Sequence, residues 1–171
     1  MDSLIPETVS RGSSVTLSYI HGPDTSKGFY QWRGLPIDVY PFETNAAFTA
    51  TADATVSPQM ANVRHVATDG SDATGDGTRE KPYATIQHVL MQSDNFDEIR
   101  VKQGLYVGCI TNKSTCKLVK NLSFKGSYND DWVQDYRNSR SIIKSPKTTL
   151  SCVVMENVQT NRFDGFDVTG G

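Results

Sequence analysis

Cysteine is scarce in this chain of 171 residues: Cys109, Cys116 and Cys152, with no Cys-x-x-Cys pair. An odd count leaves at least one thiol free, and the missing pair removes the usual zinc and redox readings. Small buried hydrophobes are the expected role, with a Cys109–Cys116 bridge the alternative in an oxidising compartment. Excess charge of one sign is lacking too. A net charge of -2 and a pI near 5.9 give no field that collects polyanions, so nucleic acid is not expected as a partner. No run approaches the roughly 20 apolar residues that a membrane-spanning helix needs. The opening stretch, MDSLIPETVSRGSS, has neither a basic start nor an apolar core, so it does not read as a secretory signal peptide. Gly-rich phosphate loops, a nucleophile elbow and an HExxH motif are all missing. The histidines, His21, His65 and His88, are scattered without ligand spacing. No catalytic constellation is therefore legible, which leaves open whether the chain belongs to an enzyme.

What remains is turn-rich. Hydrophobic residues make up 37% and charged residues 21%, with 13 Gly, seven Pro, seven Phe, seven Tyr and two Trp. In the first part, Val15, Leu17 and Tyr19 alternate with Thr16 and Ser18, the period of a half-buried strand, and the turn at His21–Asp24 stops it. Phe29, Tyr30 and Trp32 follow, and a second alternating run goes from Phe48 to Val56. Only one helix is expected: Ala84, Ile86, Val89 and Leu90 take the i, i+3, i+4 spacing of a single apolar face over residues 84–92. After it come short strand-like runs at Glu98–Val101, Leu105–Val107, Lys117–Phe124, Ser141–Lys144, Cys152–Met155 and Phe163–Val168, with no helices between them. That pattern disfavours a doubly wound α/β sheet and leaves a β-sandwich or a solenoid. No strict repeat separates the two.

Two resemblances add to this reading. Gly12-Ser13-Ser14-Val15-Thr16-Leu17, Gly28-Phe29-Tyr30-Gln31-Trp32-Arg33-Gly34 and the run Phe48–Val56 resemble a divergent internalin-type B repeat, a small β module of bacterial surface proteins, over residues 10–61. From residue 62 the order changes. His65-Val66-Ala67-Thr68-Asp69-Gly70-Ser71-Asp72, Gly75-Asp76-Gly77-Thr78 and Pro82-Tyr83-Ala84-Thr85-Ile86-Gln87 resemble the opening of right-handed parallel β-helix proteins of the pectin-lyase-like superfamily. Ile99–Tyr106, Leu122–Tyr128, Ser141–Ile143 and Phe163–Gly171 continue that likeness. The resemblance implies an all-β chain: a small β repeat module, then a cap helix and the amino-terminal rungs of a parallel β-helix over 62–171. It also implies an extracellular or cell-surface location and a chain that is the first portion of a longer protein. The implied role is structural, or glycan-binding and adhesive. The alternative is the amino-terminal part of a polysaccharide lyase or glycoside hydrolase.

Three places carry residues suited to chemistry. Asp69, Asp72 and Asp76 lie on a glycine-rich loop, where several carboxylates suit a calcium ion or, equally, turns that lead into the helix. The stretch 129–140 gathers Asp130, Asp131, Asp135, Arg137, Tyr136 and Trp132. Aromatic rings stack on sugar faces while charged groups meet hydroxyls or uronates, so a polysaccharide or cell-surface glycan is the expected partner there, and the three carboxylates also suit calcium. The alternative is a solvated loop pinned by its tryptophan. Arg162, Asp164 and Asp167 stand near the end, where an Asp-Gly corner at Asp164-Gly165 is the simpler reading.

Overall fold

The computed structural model describes residues 9–20, 25–113, 118–156 and 161–170. The turn expected at His21–Asp24, Cys116 and the start of the run at Lys117 lie outside them. The fold is all-β with one short helix, and its sheets contain both antiparallel and parallel pairs. The chain divides into two compact units, residues 1–24 with 29–60, and residues 25–28 with 61–171.

In the smaller unit, β1 (Ser14–Ser18) pairs antiparallel with β3 (Asn45–Thr49), from Ser14↔Thr49 to Ser18↔Asn45. Its core is aromatic. Phe29 and Trp32, from β2 (Lys27–Arg33), pack with Ala46, Leu17, Tyr19 and Val56. The Phe29 ring lies 5.2 Å from Tyr19 and 5.3 Å from Trp32, and the Trp32 indole N–H donates to the Glu43 carbonyl at 3.1 Å. Of the strand expected over Phe48–Val56, only Phe48 and Thr49 are strand. β3 stops at Thr49, where its five-residue partner ends, and an alternating sequence without a partner ladder stays irregular.

In the larger unit the strands pair in parallel. β4 (Ser57–Val66), β5 (Glu98–Lys102), β8 (Ser123–Tyr128) and β11 (Arg162–Asp164) are neighbours in one sheet, in which β2 also lies beside β4. β6 (Gly104–Val107), β9 (Ser141–Lys144) and β12 (Phe166–Thr169) form a second, and β7 (Ile110–Asn112) and β10 (Val153–Met155) a third. From β5 onward the chain visits the three in rotation: β5, β6, β7, then β8, β9, β10, then β11, β12. The circuits are unequal, since Glu98 aligns with Ser123 and Ser123 with Arg162.

Helix α1 (Ile86–Gln92) precedes β5. The expected start at Ala84 gives way to Ile86 because Asp72 holds the preceding residues extended. Its carboxylate accepts from the Ala84 and Thr85 N–H groups at 2.8 and 3.0 Å and from the Thr85 hydroxyl at 2.7 Å. Thr85 in turn caps the helix by accepting from the His88 N–H. The apolar face, Ile86, Val89 and Leu90, is buried with Val66, Ile99, Val101, Tyr106, Ile110, Leu122, Phe124 and Ile143. Cys152 sits in the same core with its thiol donating to the Thr169 and Gly170 carbonyls, as a small buried hydrophobe does.

Two further boundaries differ from expectation. β8 begins at Ser123, well after Lys117, because the Asn112 side-chain amide pairs with the N–H and C=O of Val119 and Asn121 turns into the left-handed region (φ 58°). Val119 and Leu122 are thus buried by irregular backbone. The run Phe163–Val168 is split into β11 and β12 by Gly165, whose φ of 74° suits glycine. Leu90 is fully buried, so Leu90→Ala is expected to lower the unfolding free energy by about 3 kcal/mol in urea titration, with an unchanged denaturant slope; a loss under about 1 kcal/mol would mean that the helix is not seated on this core.

Candidate functional site

Parallel register places side chains of the same parity in rows across a sheet. Ile99, Phe124 and Phe163 form one row on the core side, with the two phenyl rings stacked at 4.3 Å and 13°. On the opposite face the row reads His65, Arg100, Lys125, Asp164, one residue from each of four neighbouring strands. Glu98, two residues before Arg100, belongs to the same face.

Glu98 is almost completely enclosed and is held by two cations, Arg100 Nε at 2.6 Å and Lys125 Nζ at 2.7 Å. Burial alone would raise its carboxyl, but Lys125 and Arg100 outweigh burial and hold it below the ordinary carboxylate range. Arg100 also lies over the Tyr128 ring, 5.7 Å from its centroid. Residues 25–28 cover part of this face. The Val63 N–H donates to the Ser26 carbonyl, and a Cβ on Gly28 would come within 3.0 Å of Val63 and 3.4 Å of Glu98, so a larger residue there would crowd both side chains.

The loop 129–140 covers the rest. Gln134 makes a bridge back to Tyr128, and the Asn129 side chain accepts from the Asp131 and Val133 N–H groups. Trp132, itself left-handed (φ 59°), turns inward and is buried with Ala67 and Tyr128. Its ring meets His65 edge-on at 4.6 Å and carries Lys102 Nζ over its face at 5.3 Å. The indole is therefore a pin for the loop and offers no open face to a sugar. His65 pays for this position in protonation. Burial pushes its imidazole down to about 4, against the raising effect of the hydrogen bond to the Gly77 carbonyl, with Arg100 and Arg79 adding to the lowering. In the neutral ring, Nδ1–H donates to Gly77 and Nε2 is left as a buried acceptor with no partner among the described residues.

The remaining residues of the loop divide. Asp135 accepts from the Arg137 and Asn138 N–H groups and from the Asn138 amide, bonds that close its turn and lower its carboxyl. Asp130 reaches Lys102 at 3.6 Å and Gln103 at 3.4 Å, while Asp131 and Arg137 are exposed. Tyr136 is half exposed, and its hydroxyl donates to Asp164 at 2.6 Å. Burial, then this hydrogen bond and the Asp164 charge, push the phenol up to about 12. Gln134 donates to the Gly126 carbonyl and, at 3.5 Å, to the same Asp164 oxygen. Beyond the Gly165 corner, Arg140 meets Asp167 at 3.2 Å. The structure thus brings Tyr136 together with Asp164, Gln134 and the Lys125 strand, a group that sequence spacing did not join. The signal that was present is the alternation of charge with aliphatic side chains in Glu98-Ile99-Arg100-Val101-Lys102.

The carboxylates of the 69–78 loop stay apart. Asp72 holds the helix start, Asp76 accepts from the Thr78 N–H and hydroxyl, and Asp69 is exposed. Hydrogen bonds outweigh burial at Asp72, and at Asp76 they act first, so both carboxyls lie below their ordinary value. Among the described residues, no three His, Cys, Asp or Glu side chains form a group that could hold a metal ion. No described helix is long and apolar enough to cross a membrane.

Two predictions follow the buried charges. His65 has a lower pKa folded than unfolded, so its contribution is constant above about pH 6.5 and is lost as pH falls from there to about 4. The loss amounts to about 3 kcal/mol; urea midpoints across that range should fall less steeply in His65→Gln than in the parent chain, and equal slopes would contradict the assignment. Glu98→Ala strands two cations on a buried face and is expected to cost about 3–5 kcal/mol, whereas exposed Asp131→Ala should stay within about 0.5 kcal/mol of the parent. Comparison of the chain with protein-family models, with curated proteins and with solved structures finds no match in any of the three.

Proposed function

We propose that the chain is part of a secreted or cell-surface protein that binds glycan, built on the opening rungs of a right-handed parallel β-helix preceded by a small β repeat module. The rotation of the chain through three parallel sheets supports the coil, as do the Ile99–Phe124–Phe163 row inside and the apolar face of α1 in the same core. The sequence motifs of residues 65–87 and 99–106 point the same way.

The observation that carries the binding reading is Tyr136. Its ring is half exposed while its hydroxyl is fixed on Asp164, so the ring is held still with one side to solvent. A sugar stacks on such a ring at little cost in side-chain freedom, and its hydroxyls find the remaining lone pairs of the Asp164 carboxylate as acceptors. Exposed Arg137 and the partly exposed Lys125 amine flank it. The same geometry speaks against cleavage of the polysaccharide at this row. Arg100 and Lys125 are engaged by Glu98, His65 is sealed under Trp132, and Asp164 is engaged by Tyr136. Catalysis needs a group free to exchange a proton with substrate.

The test is a glycan array probed with the labelled whole chain. Binding is expected, with Tyr136→Ala weakening it about tenfold or more and Asp164→Asn weakening it less. An array without hits, or hits that Tyr136→Ala leaves unchanged, would refute the reading.

A further inference from the structure

A second site lies away from the Tyr136 face, at the free edge of β6, and does not depend on the glycan reading. Among the described residues, β6 pairs only with β9. In a parallel ladder a residue's N–H and C=O point to the same side, and successive residues alternate. The Gly104 N–H donates to the Arg140 carbonyl at 2.8 Å and the Gly108 N–H to the Lys144 carbonyl at 3.0 Å, so Gly104, Tyr106 and Gly108 face β9. Leu105 and Val107 turn their N–H and C=O groups the other way, where no partner meets them among the described residues. β6 also lacks the usual protections of an edge strand. It holds no charge and no proline, and Leu105 and Val107 are 52% and 60% exposed. Beside it runs a trough of about 260 Å³ between Leu105–Ile110 and the segment Ala84–Gln87, lined also by Thr68 and Ile143.

The neighbouring strand indicates which chemistry fits this edge. In β7, the Ile110 N–H donates to Cys152 and the Asn112 carbonyl accepts from Glu156, so these two residues face the β10 side. Thr111 faces the free edge, as Leu105 and Val107 do, and its demand is met by a side-chain amide. Gln87 Oε1 accepts from the Thr111 N–H at 2.7 Å, and Gln87 Nε2 donates to the Thr111 carbonyl at 3.2 Å. An amide of the fold itself thus makes the two bonds, one to an N–H and one to a C=O, that an added strand would make from two successive peptide groups. At Leu105 and Val107 the same paired demand occurs twice, two residues apart, with no internal amide to meet it.

We infer that this edge docks an extended peptide of another polypeptide by strand addition, which meets at β6 the paired demand that Gln87 meets at Thr111 of β7. The two-residue period of an extended chain matches the interval between Leu105 and Val107, so alternate residues of the guest turn their N–H and C=O groups toward them. The side chains between alternate to the two faces, and those that meet the trough and the exposed Leu105 and Val107 are small or aliphatic. Main-chain bonds set the register, and the trough selects the side chain. A single acetamide group, as on an amino sugar, has its C=O and N–H on opposite sides and would meet only one of the four backbone groups.

The probe is an acetylated and amidated hexapeptide of alternating Thr and Val, titrated into the ¹⁵N-labelled whole chain. The Leu105 and Val107 amide signals are expected to shift with saturation. Methylating the peptide on one alternate set of nitrogens should weaken binding about tenfold or more, and methylating the other set should not, because only one set enters the ladder. Val107→Pro removes one edge N–H and leaves those of Tyr106 and Gly108; it should weaken binding similarly. If that variant fails to fold, the two methylated peptides decide alone. No binding, equal binding of both methylated peptides, shifts confined to other residues, or self-association through β6 without peptide would each overturn the assignment.

Discussion

The charged row His65, Arg100, Lys125 and Asp164 takes its positions from one constraint, the parallel pairing of β4, β5, β8 and β11, which keeps one register as far as Arg100 and shifts between Arg100 and Lys102. In such a ladder every residue sits beside the residue of equal parity on the next strand, so a side chain's face is inherited from its neighbour. Ile99 commits Phe124 to the core and Phe163 to the same face, stacked on Phe124 though partly open to solvent, and by the same step Arg100 commits Lys125 and Asp164 to the other side. A slip of one residue would bury the cations among Leu90, Val101 and Ile143 and expose the Phe124 ring. The hydrophobic contrast between the two faces is what prevents it.

The outer face is unusual because it is covered. Residues 25–28 and the loop 129–140 lie over it, so charges that would normally meet water have to meet each other. Glu98 is tolerated there because two cations reach its two oxygens, and Arg100 and Lys102 find aromatic faces in addition. His65 solves the same problem differently, by staying neutral. Trp132 closes the cover, and by turning inward it hands the exposed aromatic position to Tyr136. A residue type suited to sugar stacking thus serves the fold, and its neighbour four positions on carries the accessible ring.

Much of the fold was legible in the sequence. The helix face Ile86, Val89, Leu90 follows from its spacing, and β9 and the Gly165 corner fall where the aliphatic run and the Asp-Gly pair put them. β7 was not legible, since Ile110-Thr111-Asn112 is too short for a period and owes its form to β10 and to Gln87. The strand expected from Lys117 failed because apolar residues are also buried by irregular backbone when a side-chain amide, here that of Asn112, satisfies it. The strand expected over Phe48–Val56 stops at Thr49 because alternation describes a willingness to pair and β1 offers only five residues.

The candidate site was legible only as a list of residue types. That Asp130, Asp131, Asp135, Trp132, Tyr136 and Arg137 form one excursion is a property of sequence alone, as are the low net charge and the dearth of cysteine. Which of them faces solvent is not. Asp164 and Lys125 come from other strands, 28 and 11 positions from Tyr136 in the chain, and only register brings them alongside. Local sequence sets the alternation and turn chemistry of a segment because those depend on neighbours along the backbone; the partners across a parallel ladder, and hence the chemistry of the face, depend on how much chain is looped out between strands, which alternation does not measure.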